Sequence, residues 1–335
     1  MSARVLMAGG GTGGHIYPLV AISEELAKIS PDIQTKFISV LSPKWRRYFS
    51  ILNFLDLFKI PVGLAQAFFK VWAYMPDVIV TTGGYAAFLP LLAGRIFLIP
   101  IIICDLDSVK GAVNHFFGKR AERIFVAYES TAQSYKAEKT EIVGYPIRSE
   151  VLQNFDKAEA VKSFGFDGSK PVVFITTANQ GAKIINDVIS LGLFELTQIY
   201  HVIHQMGPKQ FIEVSEKDYK TFAVMSAKEM ALAYSACDVV VSRAGTVLFE
   251  IAAVGKPGIV IPLAGSAEDH QESNAREFAK YGGIVIEEQN LSQHVLLQEI
   301  KDALEKKDEI SAKIKQFAKP SAAVRVAQEV KILLS

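Results

Sequence analysis

The chain has 335 residues, more than one ordinary hydrophobic core accommodates, so two domains are expected. Lys and Arg number 36 and Asp and Glu 35, and the resulting net charge of +1 provides no overall field that would attract nucleic acid. The balance therefore argues against a nucleic-acid partner. Cys104 and Cys237 have no CxxC spacing and no histidine at ligand distance, so we expect two buried thiols and no metal site.

Short β-branched runs alternate with amphipathic helical segments along the chain, a pattern typical of βαβ units and parallel sheets. Strands are predicted at residues 4–8, 35–40, 77–81, 100–104, 123–127, 141–143, 171–176, 199–203, 239–242, 258–261 and 283–286. The alternation restarts near Gly144-Tyr145-Pro146, before a charged segment, 147–165, that is predicted to be helical. We therefore predict two Rossmann-like domains, 1–146 and 147–319, with a last helix, 320–335, that returns to the first domain.

The most apolar segment, residues 86–104, approaches the length of a membrane span. Arg95, Pro90 and Pro100 interrupt it, so a buried helix followed by a strand is predicted, and no transmembrane helix.

A glycine-rich loop, GGGTGGH at residues 9–15, joins the first strand to a helix predicted at 18–28. Glycines let the backbone approach a ligand, and the amide groups at a helix start favour an anion. The loop matches GxGxxG, but the second strand ends without the acidic residue that a dinucleotide ribose requires. A P-loop is excluded because His15 occupies the lysine position. A phosphate-binding turn or a purely structural turn remain as interpretations.

Four further polar turns follow predicted strands. They are TGGY at 82–85, ANQGA at 178–182, SRAGT at 242–246 and GSAEDHQ at 265–271. The carboxyl ends of parallel strands meet at one edge of a sheet, which is where open α/β folds bind ligands. Two anion-binding turns in the first half suit an acceptor that carries a diphosphate.

The order and spacing of these motifs resemble the MurG family of UDP-N-acetylglucosamine transferases, which belongs to glycosyltransferase family 28. The matching motifs are GGGTGGH, TGGY, GYPIR, NQGA, SRAG with a following glutamate, GKPGIVIP and DHQESNA. The resemblance implies an α/β fold of the GT-B type, with two Rossmann-like domains whose parallel sheets face an interdomain cleft. It also implies transfer of N-acetylglucosamine from UDP-N-acetylglucosamine to lipid I, a lipid-linked muramoyl-peptide acceptor, at the cytoplasmic face of the bacterial membrane, giving lipid II for peptidoglycan synthesis.

The resemblance also implies roles for individual residues. His15 would be the catalytic base of an inverting transfer, because an imidazole, with an ordinary pKa of about 6.5, can take a proton from the acceptor 4-hydroxyl. The acceptor-side residues would be Thr12, Gly13, Gly14, Gly83, Gly84, Tyr85 and Asp107. The donor-side residues would be Arg148, Asn179, Gln180, Gly181, Gly245, Thr246, Glu250, Gln271 and Asn274. No cofactor is predicted, and a divalent cation is compatible with the pattern but is not assigned ligands.

The chemistry of the reaction suits the donor-side roles. An arginine and the amide groups of a helix start stabilise the charge that develops on departing UDP, which suits Arg148 and the turn at 179–182. The Glu250 carboxylate can accept hydrogen bonds from two adjacent ribose hydroxyls. Each role has a structural alternative: His15 could cap its helix, Arg148 could form a boundary salt bridge, and Glu250 could have a protein partner. Asp269 could cap the helix that carries the last cluster.

Aromatic and basic residues intermix at 43–49, PKWRRYF, and at 54–72. Phe68, Phe69 and Trp72 fall on one broad helix face, and Lys70 lies nearby. Such a rim can rest on anionic headgroups without spanning the bilayer, and an ordinary buried helix is the alternative.

Three departures from the family pattern stand out. Residues 104–107 read CDLD where the family usually reads HEQN, so Asp107 places a carboxylate where the family has an acceptor-side amide. The segment 39–59 is shorter than expected, and 245–250 is one residue short between glycine and acid. Two other functions therefore stay open: a GT-B enzyme for a different lipid acceptor or a UDP-N-acetylglucosamine 2-epimerase-like enzyme, and a non-catalytic subunit that binds nucleotide sugar.

Overall fold

The computed structural model describes residues 2–10, 13–42, 59–177, 181–214, 216–265 and 269–335. The chain divides into two compact units, Met1–Arg148 with Pro320–Ser335, and Ser149–Lys319. The division falls after Arg148, whereas the sequence analysis placed it after Pro146. Each unit is α/β and contains one six-stranded sheet.

The first unit has a parallel sheet with strand order β2-β1-β3-β4-β5-β6. Its strands are β1 (Arg4–Gly9), β2 (Gln34–Phe37), β3 (Val78–Gly83), β4 (Ile101–Asp105), β5 (Arg123–Val126) and β6 (Thr140–Ile142). Its helices are α1 (Gly13–Ile29), α2 (Lys59–Tyr74), α3 (Phe88–Ile96), α4 (Ala112–Gly118) and α5 (Glu129–Ala132), with 3-10 turns at Tyr85–Ala87 and Ala137–Lys139. Strands β3 and β4 are buried along their whole length, as in a sheet covered by helices on both faces.

The second unit repeats this architecture with strand order β12-β11-β10-β7-β8-β9, again all parallel. Its strands are β7 (Val172–Thr176), β8 (His201–Gln205), β9 (Tyr219–Phe222), β10 (Val239–Ser242), β11 (Gly258–Val260) and β12 (Ile284–Val285). Its helices are α6 (Lys157–Ser163), α7 (Lys183–Leu191), α8 (Leu193–Ile199), α9 (Ala227–Ala236), α10 (Val247–Val254), α11 (His270–Ala279), α12 (Gln293–Glu305) and α13 (Lys307–Ile314), with a 3-10 turn at Glu288–Asn290.

Three elements differ from the sequence prediction. The segment 147–165 is not one helix: only α6 is helical, and it begins where the Asp156 side chain accepts a hydrogen bond from Glu159 N. Helix α1 begins at Gly13, five residues before the predicted start, and contains Pro18. Pro18 has no N–H for the Gly14 carbonyl, which instead accepts a hydrogen bond from Tyr145 Oη at 3.1 Å. Strand β9 was not predicted.

Among the described residues, no helix combines the length and the hydropathy needed to cross a bilayer. The apolar segment 86–104 forms helix α3 and strand β4, and Ile101 to Cys104 are buried inside the sheet.

The last helix, α14 (Ala322–Leu334), belongs to the first unit and packs against α1. Its Glu329 is buried and accepts hydrogen bonds from Arg123 Nε at 2.7 Å and Arg325 Nη1 at 2.9 Å. Arg325 also forms two hydrogen bonds with Glu141, at 2.9 and 2.7 Å. Burial alone raises the pKa of Glu329, but the two arginines outweigh it and hold that pKa below its usual range.

Replacing Glu329 by glutamine is expected to lower the free energy of unfolding by about 1–3 kcal/mol near pH 7, because two charge-assisted hydrogen bonds are lost. A depressed pKa stabilises the fold above the ordinary glutamate pKa, and this stabilisation disappears as pH falls through the native pKa. The difference between wild type and Glu329→Gln should therefore shrink on acidification in urea titrations. Glu305→Gln, which removes an exposed pair with Lys301, should change stability by less than about 0.5 kcal/mol at either pH.

Candidate active site

Two glycine turns meet at the carboxyl edge of the first sheet, where β1 and β3 are neighbours. Gly83 and Gly84 have φ angles of 80° and 78°, a region that side chains with a Cβ rarely adopt. A methyl group on Gly84 would lie 2.5 Å from the Gly10 carbonyl oxygen and 3.1 Å from Cδ2 of His15. The two turns and the imidazole are therefore in direct contact, and only glycine fits between them.

His15 lies in the first turn of α1 and bonds to the end of β3. Its Nδ1 is 3.1 Å from the Thr82 carbonyl oxygen, and Thr82 Oγ1 donates to the His15 carbonyl at 2.6 Å. A carbonyl oxygen can only accept, so Nδ1 carries the hydrogen in the neutral ring and Nε2 keeps its lone pair. That arrangement suits a general base whose free nitrogen is Nε2. The Nδ1 bond runs to the neighbouring strand, in contrast to the helix-cap alternative.

The structure gathers most of the described acceptor-side residues around His15. Gly13 and Gly14 begin α1, and Gly83, Gly84 and the exposed Tyr85 form the turn after β3. Thr12 lies outside the described residues.

Asp107 follows the neighbouring strand β4 and is half-buried, and its carbonyl accepts a hydrogen bond from Thr131 Oγ1. It thus comes from a different strand end than the two glycine turns.

Arg148 belongs to the first unit, and its guanidinium carbon lies 4.2 Å above the centre of the Tyr17 ring. Tyr17 is two residues beyond His15 on α1. A cation–π contact of this kind fixes the plane of the guanidinium. Among the described residues, this contact with Tyr17 is the one that the structure shows for Arg148, and not the boundary salt bridge of the structural alternative.

The donor-side residues other than Arg148 lie in the second unit, in the segments that follow β7, β10 and β11. Gly181 has a φ of 80°, and a methyl group there would lie 2.7 Å from the Met206 carbonyl oxygen. Gly245 and Thr246 lie between β10 and α10. Asn179 and Gln180 lie outside the described residues.

Helix α11 is tied to the two neighbouring strand ends by side-chain amides. The buried Asn274 donates from Nδ2 to the Ala244 carbonyl at 3.2 Å, and Gln271 Oε1 accepts from Leu263 N at 3.0 Å. The proposed alternative, a helix cap by Asp269, is wrong: Asp269 has a φ of 52° and its side chain makes no capping hydrogen bond. The two amides are thus placed by tertiary contacts at the sheet edge.

Glu250 is half-buried on α10 and has a protein partner, since Tyr234 Oη donates to its Oε2 at 2.8 Å. Tyr234 is fully buried, and its ring packs edge-on against Phe174 with centroids 5.4 Å apart. A carboxylate can accept about four hydrogen bonds, so a tyrosine that orients one oxygen is compatible with ribose binding by the carboxylate.

Arg243 was given no role from the sequence, although it belongs to the SRAG motif. It donates to the carbonyls of Ile261 and Pro262 at 3.1 and 3.2 Å and pairs with Glu288 at 2.8 Å. Glu288 in turn accepts from Ala264 N at 2.9 Å. Arg243 therefore holds together the loops that follow β10 and β11.

Asp105 was also not predicted as a site residue, although it belongs to the same motif as Asp107. It is buried at the end of β4 and accepts from Asn114 Nδ2 at 2.9 Å, Tyr135 Oη at 2.6 Å and Gly111 N at 3.2 Å. Burial raises the pKa of Asp105 to about 6, although these three donors pull it down. Strand alternation would place residues 105 and 107 on the same face, so it could not have shown that Asp105 alone is buried.

Residues 5–126 match the glycosyltransferase family 28 N-terminal domain, and residues 172–329 match the family's C-terminal domain. The UDP-N-acetylglucosamine–N-acetylmuramyl-(pentapeptide) pyrophosphoryl-undecaprenol N-acetylglucosamine transferase of Legionella pneumophila (strain Paris) is 33% identical over 99% of this chain and 97% of its own length. The crystal structure of Acinetobacter baumannii MurG superposes with a TM-score of 0.72 at 21% identity, covering 98% of this chain and 99% of that one.

The fold likeness extends to the UDP-GlcNAc 2-epimerase from Neisseria meningitidis bound to UDP-GlcNAc, with a TM-score of 0.67 at 14% identity over 99% of this chain and all of that one. These likenesses confirm an α/β fold of the GT-B type. Together with the two matching domains and the full-length relative, they identify the chain as a glycosyltransferase that belongs to family 28.

Proposed function

We propose that this chain transfers N-acetylglucosamine from UDP-N-acetylglucosamine to the muramoyl unit of lipid I, giving lipid II. The observation that carries the proposal is the His15 geometry, in which Thr82 accepts from Nδ1 and leaves Nε2 available for a proton. The activity that names the 33% identical Legionella relative supports the same donor and acceptor.

In the proposed reaction the acceptor 4-hydroxyl attacks C1 of the donor sugar and its proton passes to His15 Nε2. A C1–O4 bond forms on the face opposite the C1–O bond to UDP, which breaks, so the configuration at C1 inverts. UDP leaves with the electron pair of that bond. Donors held in place before the reaction stabilise such charge best, because they need no reorganisation.

The donor-side roles are proposals that the local contacts support. Arg148 is held flat on Tyr17 and is suited to a diphosphate oxygen. Tyr234 orients the Glu250 carboxylate, which is proposed to bind the ribose. Gln271 and Asn274 are held by their own backbone contacts and are proposed to bind the sugar hydroxyls. The first-unit acceptor residues around His15 are proposed to bind the lipid-linked substrate.

Radiolabel transfer from UDP-N-acetylglucosamine to purified lipid I tests the function directly. Labelled lipid II is the expected product. Transfer to another lipid alone, or release of a labelled epimeric nucleotide sugar without any acceptor, would favour the first of the open alternatives. Calorimetric binding of UDP with no turnover on any lipid would favour a non-catalytic subunit.

Replacing Glu250 by glutamine is expected to raise KM for UDP-N-acetylglucosamine by about 10-fold or more and to change kcat little. A ribose contact made equally in the ground and transition states acts mainly on KM. Tyr234→Phe should raise the same KM by a smaller factor, because it frees the carboxylate without removing it. Initial rates at saturating lipid I check both, with Glu305→Gln as the surface control. An unchanged KM in Glu250→Gln would remove Glu250 from the donor site.

We also propose that the first unit contacts the membrane peripherally. Helix α2 buries Gly63, Ala67 and Val71, whereas Trp72 is 55% exposed. Among the described residues this face is exposed, which supports the membrane interpretation over that of an ordinary buried helix. At the end of the adjacent α3, Leu98 is 85% exposed.

The exposed apolar surface of the first unit also includes aromatic residues of α2 and α4. Phe68 contacts Phe97 with ring centroids 4.7 Å apart, and Phe88 contacts Phe116 at 5.7 Å. Lys70 flanks this surface, so it combines apolar side chains with positive charge. The segments 43–49 and 54–58, which belong to the same sequence prediction, lie outside the described residues.

Sedimentation with phosphatidylglycerol vesicles tests this contact. The double variant Trp72→Ser, Leu98→Ser should reduce the bound fraction several-fold, because both side chains would enter the headgroup region. Phe194→Ser removes an equally exposed apolar residue from the second unit and should leave binding unchanged. Equal loss in both variants would contradict a specific contact by the first unit.

A further inference from the structure

The contacts behind the second glycine turn suggest a role for side chains that do not reach the proposed reacting atoms. Asn114 is 2% exposed and lies directly under Gly83, where an added methyl group would be 2.5 Å from Asn114 Oδ1. Asn114 Nδ2 faces both Asp105 Oδ1, at 2.9 Å, and the Thr82 carbonyl oxygen, at 3.4 Å. Asn114 therefore links the buried acid to the residue that bonds His15.

The charge of Asp105 determines which way the Asn114 amide is turned. An ionised carboxylate can only accept hydrogen bonds, so the group that faces it must be the Nδ2 amine. The carbonyl oxygen then faces Gly83, and this buried Oδ1 has no hydrogen-bond partner among the described residues. An unpaired buried acceptor is energetically unfavourable, so this orientation is held by the carboxylate against a local penalty.

Tyr135 and Gly111 hold the carboxylate itself. Tyr135 Oη donates to Asp105 Oδ2, and Gly111 N is shared between Oδ2 at 3.2 Å and Oδ1 at 3.3 Å. Oδ1 also accepts from Asn114 Nδ2 at 2.9 Å. The acid is thus fixed from α4, from its own loop and from the segment after α5.

Thr82 connects Asn114 to His15 through its carbonyl oxygen. Its carbonyl oxygen accepts from His15 Nδ1 at 3.1 Å and lies within reach of Asn114 Nδ2, while its hydroxyl donates to the His15 backbone. The direction of this one carbonyl decides which imidazole nitrogen carries the hydrogen.

We propose that Asp105 and Asn114 are positioning residues for His15: the carboxylate orients the Asn114 amide, the amide holds the Thr82 carbonyl, and the carbonyl keeps the hydrogen on Nδ1. The kinetic part of this inference rests on the proposed function of His15 as the base, whereas the tautomer does not. Without this arrangement the His15 ring can carry its hydrogen on Nε2 instead. A protonated Nε2 has no lone pair, so it cannot take the proton of the lipid substrate's hydroxyl.

Nitrogen NMR of the full chain carrying ¹⁵N-labelled histidine tests the tautomer without substrate. The chain has six histidines, and the signals of His15 are those lost in His15→Gln. At pH 8, above the pKa of Asp105, wild type should show a protonated Nδ1 and an unprotonated Nε2. Asn114→Ala should shift the signals toward protonated Nε2 and lower kcat by about 10-fold to 100-fold at unchanged KM for UDP-N-acetylglucosamine, as expected for a misplaced catalytic group.

Asn186→Ala is the matched control, because it removes another buried amide, which bonds Met206, Gln210 and His204 in the second unit. It should leave the His15 signals unchanged. If circular dichroism shows that Asn114→Ala does not fold, Asp105→Asn is the variant to measure. It keeps the side-chain volume at residue 105 but no longer fixes the orientation of the Asn114 amide.

Wild-type protein with protonated Nε2 overturns the proposal, and so does a folded Asn114→Ala or Asp105→Asn with unaltered His15 signals and kcat. The expected tautomer together with no transfer by wild type to lipid I would instead reject the proposed function and leave the positioning contacts intact. A fall in kcat without a change in the His15 signals also overturns the positioning proposal, because the loss of activity would then have a cause other than the His15 tautomer.

Discussion

His15→Ala is expected to lower kcat for transfer to lipid I by about 10²–10⁴-fold, the range that a positioned general base contributes. Nε2 is the nitrogen left without a hydrogen by the Thr82 contact, so its removal takes away the proton acceptor. KM for UDP-N-acetylglucosamine should change little, because the proposed role of His15 is to accept a proton during the reaction and not to hold the donor. Radiolabel transfer at saturating substrate, with calorimetry of UDP binding, measures both quantities.

His15→Gln provides a sharper form of the same experiment. A glutamine amide can donate to the Thr82 carbonyl in place of Nδ1 but cannot act as a base near neutral pH, so its kcat should be as low as that of alanine. His294→Ala, an exposed histidine on α12, should retain wild-type kcat. A His15 variant with full kcat would exclude the imidazole as the base and direct attention to another acceptor-side group.

Most of the parallel strands were predictable, because a strand buried on both faces is a short continuous apolar run. Val78–Gly83 and Val172–Thr176 begin with such runs, VIV and VVFI, and both strands lie within a residue or two of the predicted positions. Strand β9 has the sequence YKTF at the edge of its sheet, and only its first residue is buried. A short edge strand carries little apolar signal, so its existence depends on pairing with β8 that the local sequence does not record.

The glycine turns were predictable for a different reason. Gly83 and Gly181 occupy backbone conformations with positive φ, and the need for glycine at such positions is visible in one chain segment. The partners of the turns were not visible, since Thr82 lies 67 residues from His15 and Asn114 another 32 beyond Thr82. Which carboxylate of CDLD is buried is likewise a tertiary property. Asp107 was predicted as the site residue, whereas Asp105 is the one that bonds Asn114 and Tyr135.

Gly84→Ala is expected to have the second large effect, because the new methyl group meets atoms that cannot move independently. It would lie 2.5 Å from the Gly10 carbonyl oxygen and 3.1 Å from His15 Cδ2, on a residue whose φ is 78°. Both the backbone strain and the displacement of the imidazole follow from one added carbon. We expect kcat to fall by about 100-fold, the loss associated with a misplacement of about 1 Å, and the free energy of unfolding to fall by about 1–3 kcal/mol.

Gly165→Ala separates these two contributions. Gly165 has a φ of 83°, close to that of Gly84, but a methyl group there would have no neighbour within 4 Å. Its substitution should destabilise the second unit by about 1 kcal/mol through backbone strain alone and leave kcat unchanged. If Gly84→Ala lost only as much stability as Gly165→Ala and kept its kcat, the turn after β3 would not position His15. If Gly84→Ala had a lower kcat but the wild-type affinity for UDP, the contact between the two glycine turns would be what positions the base.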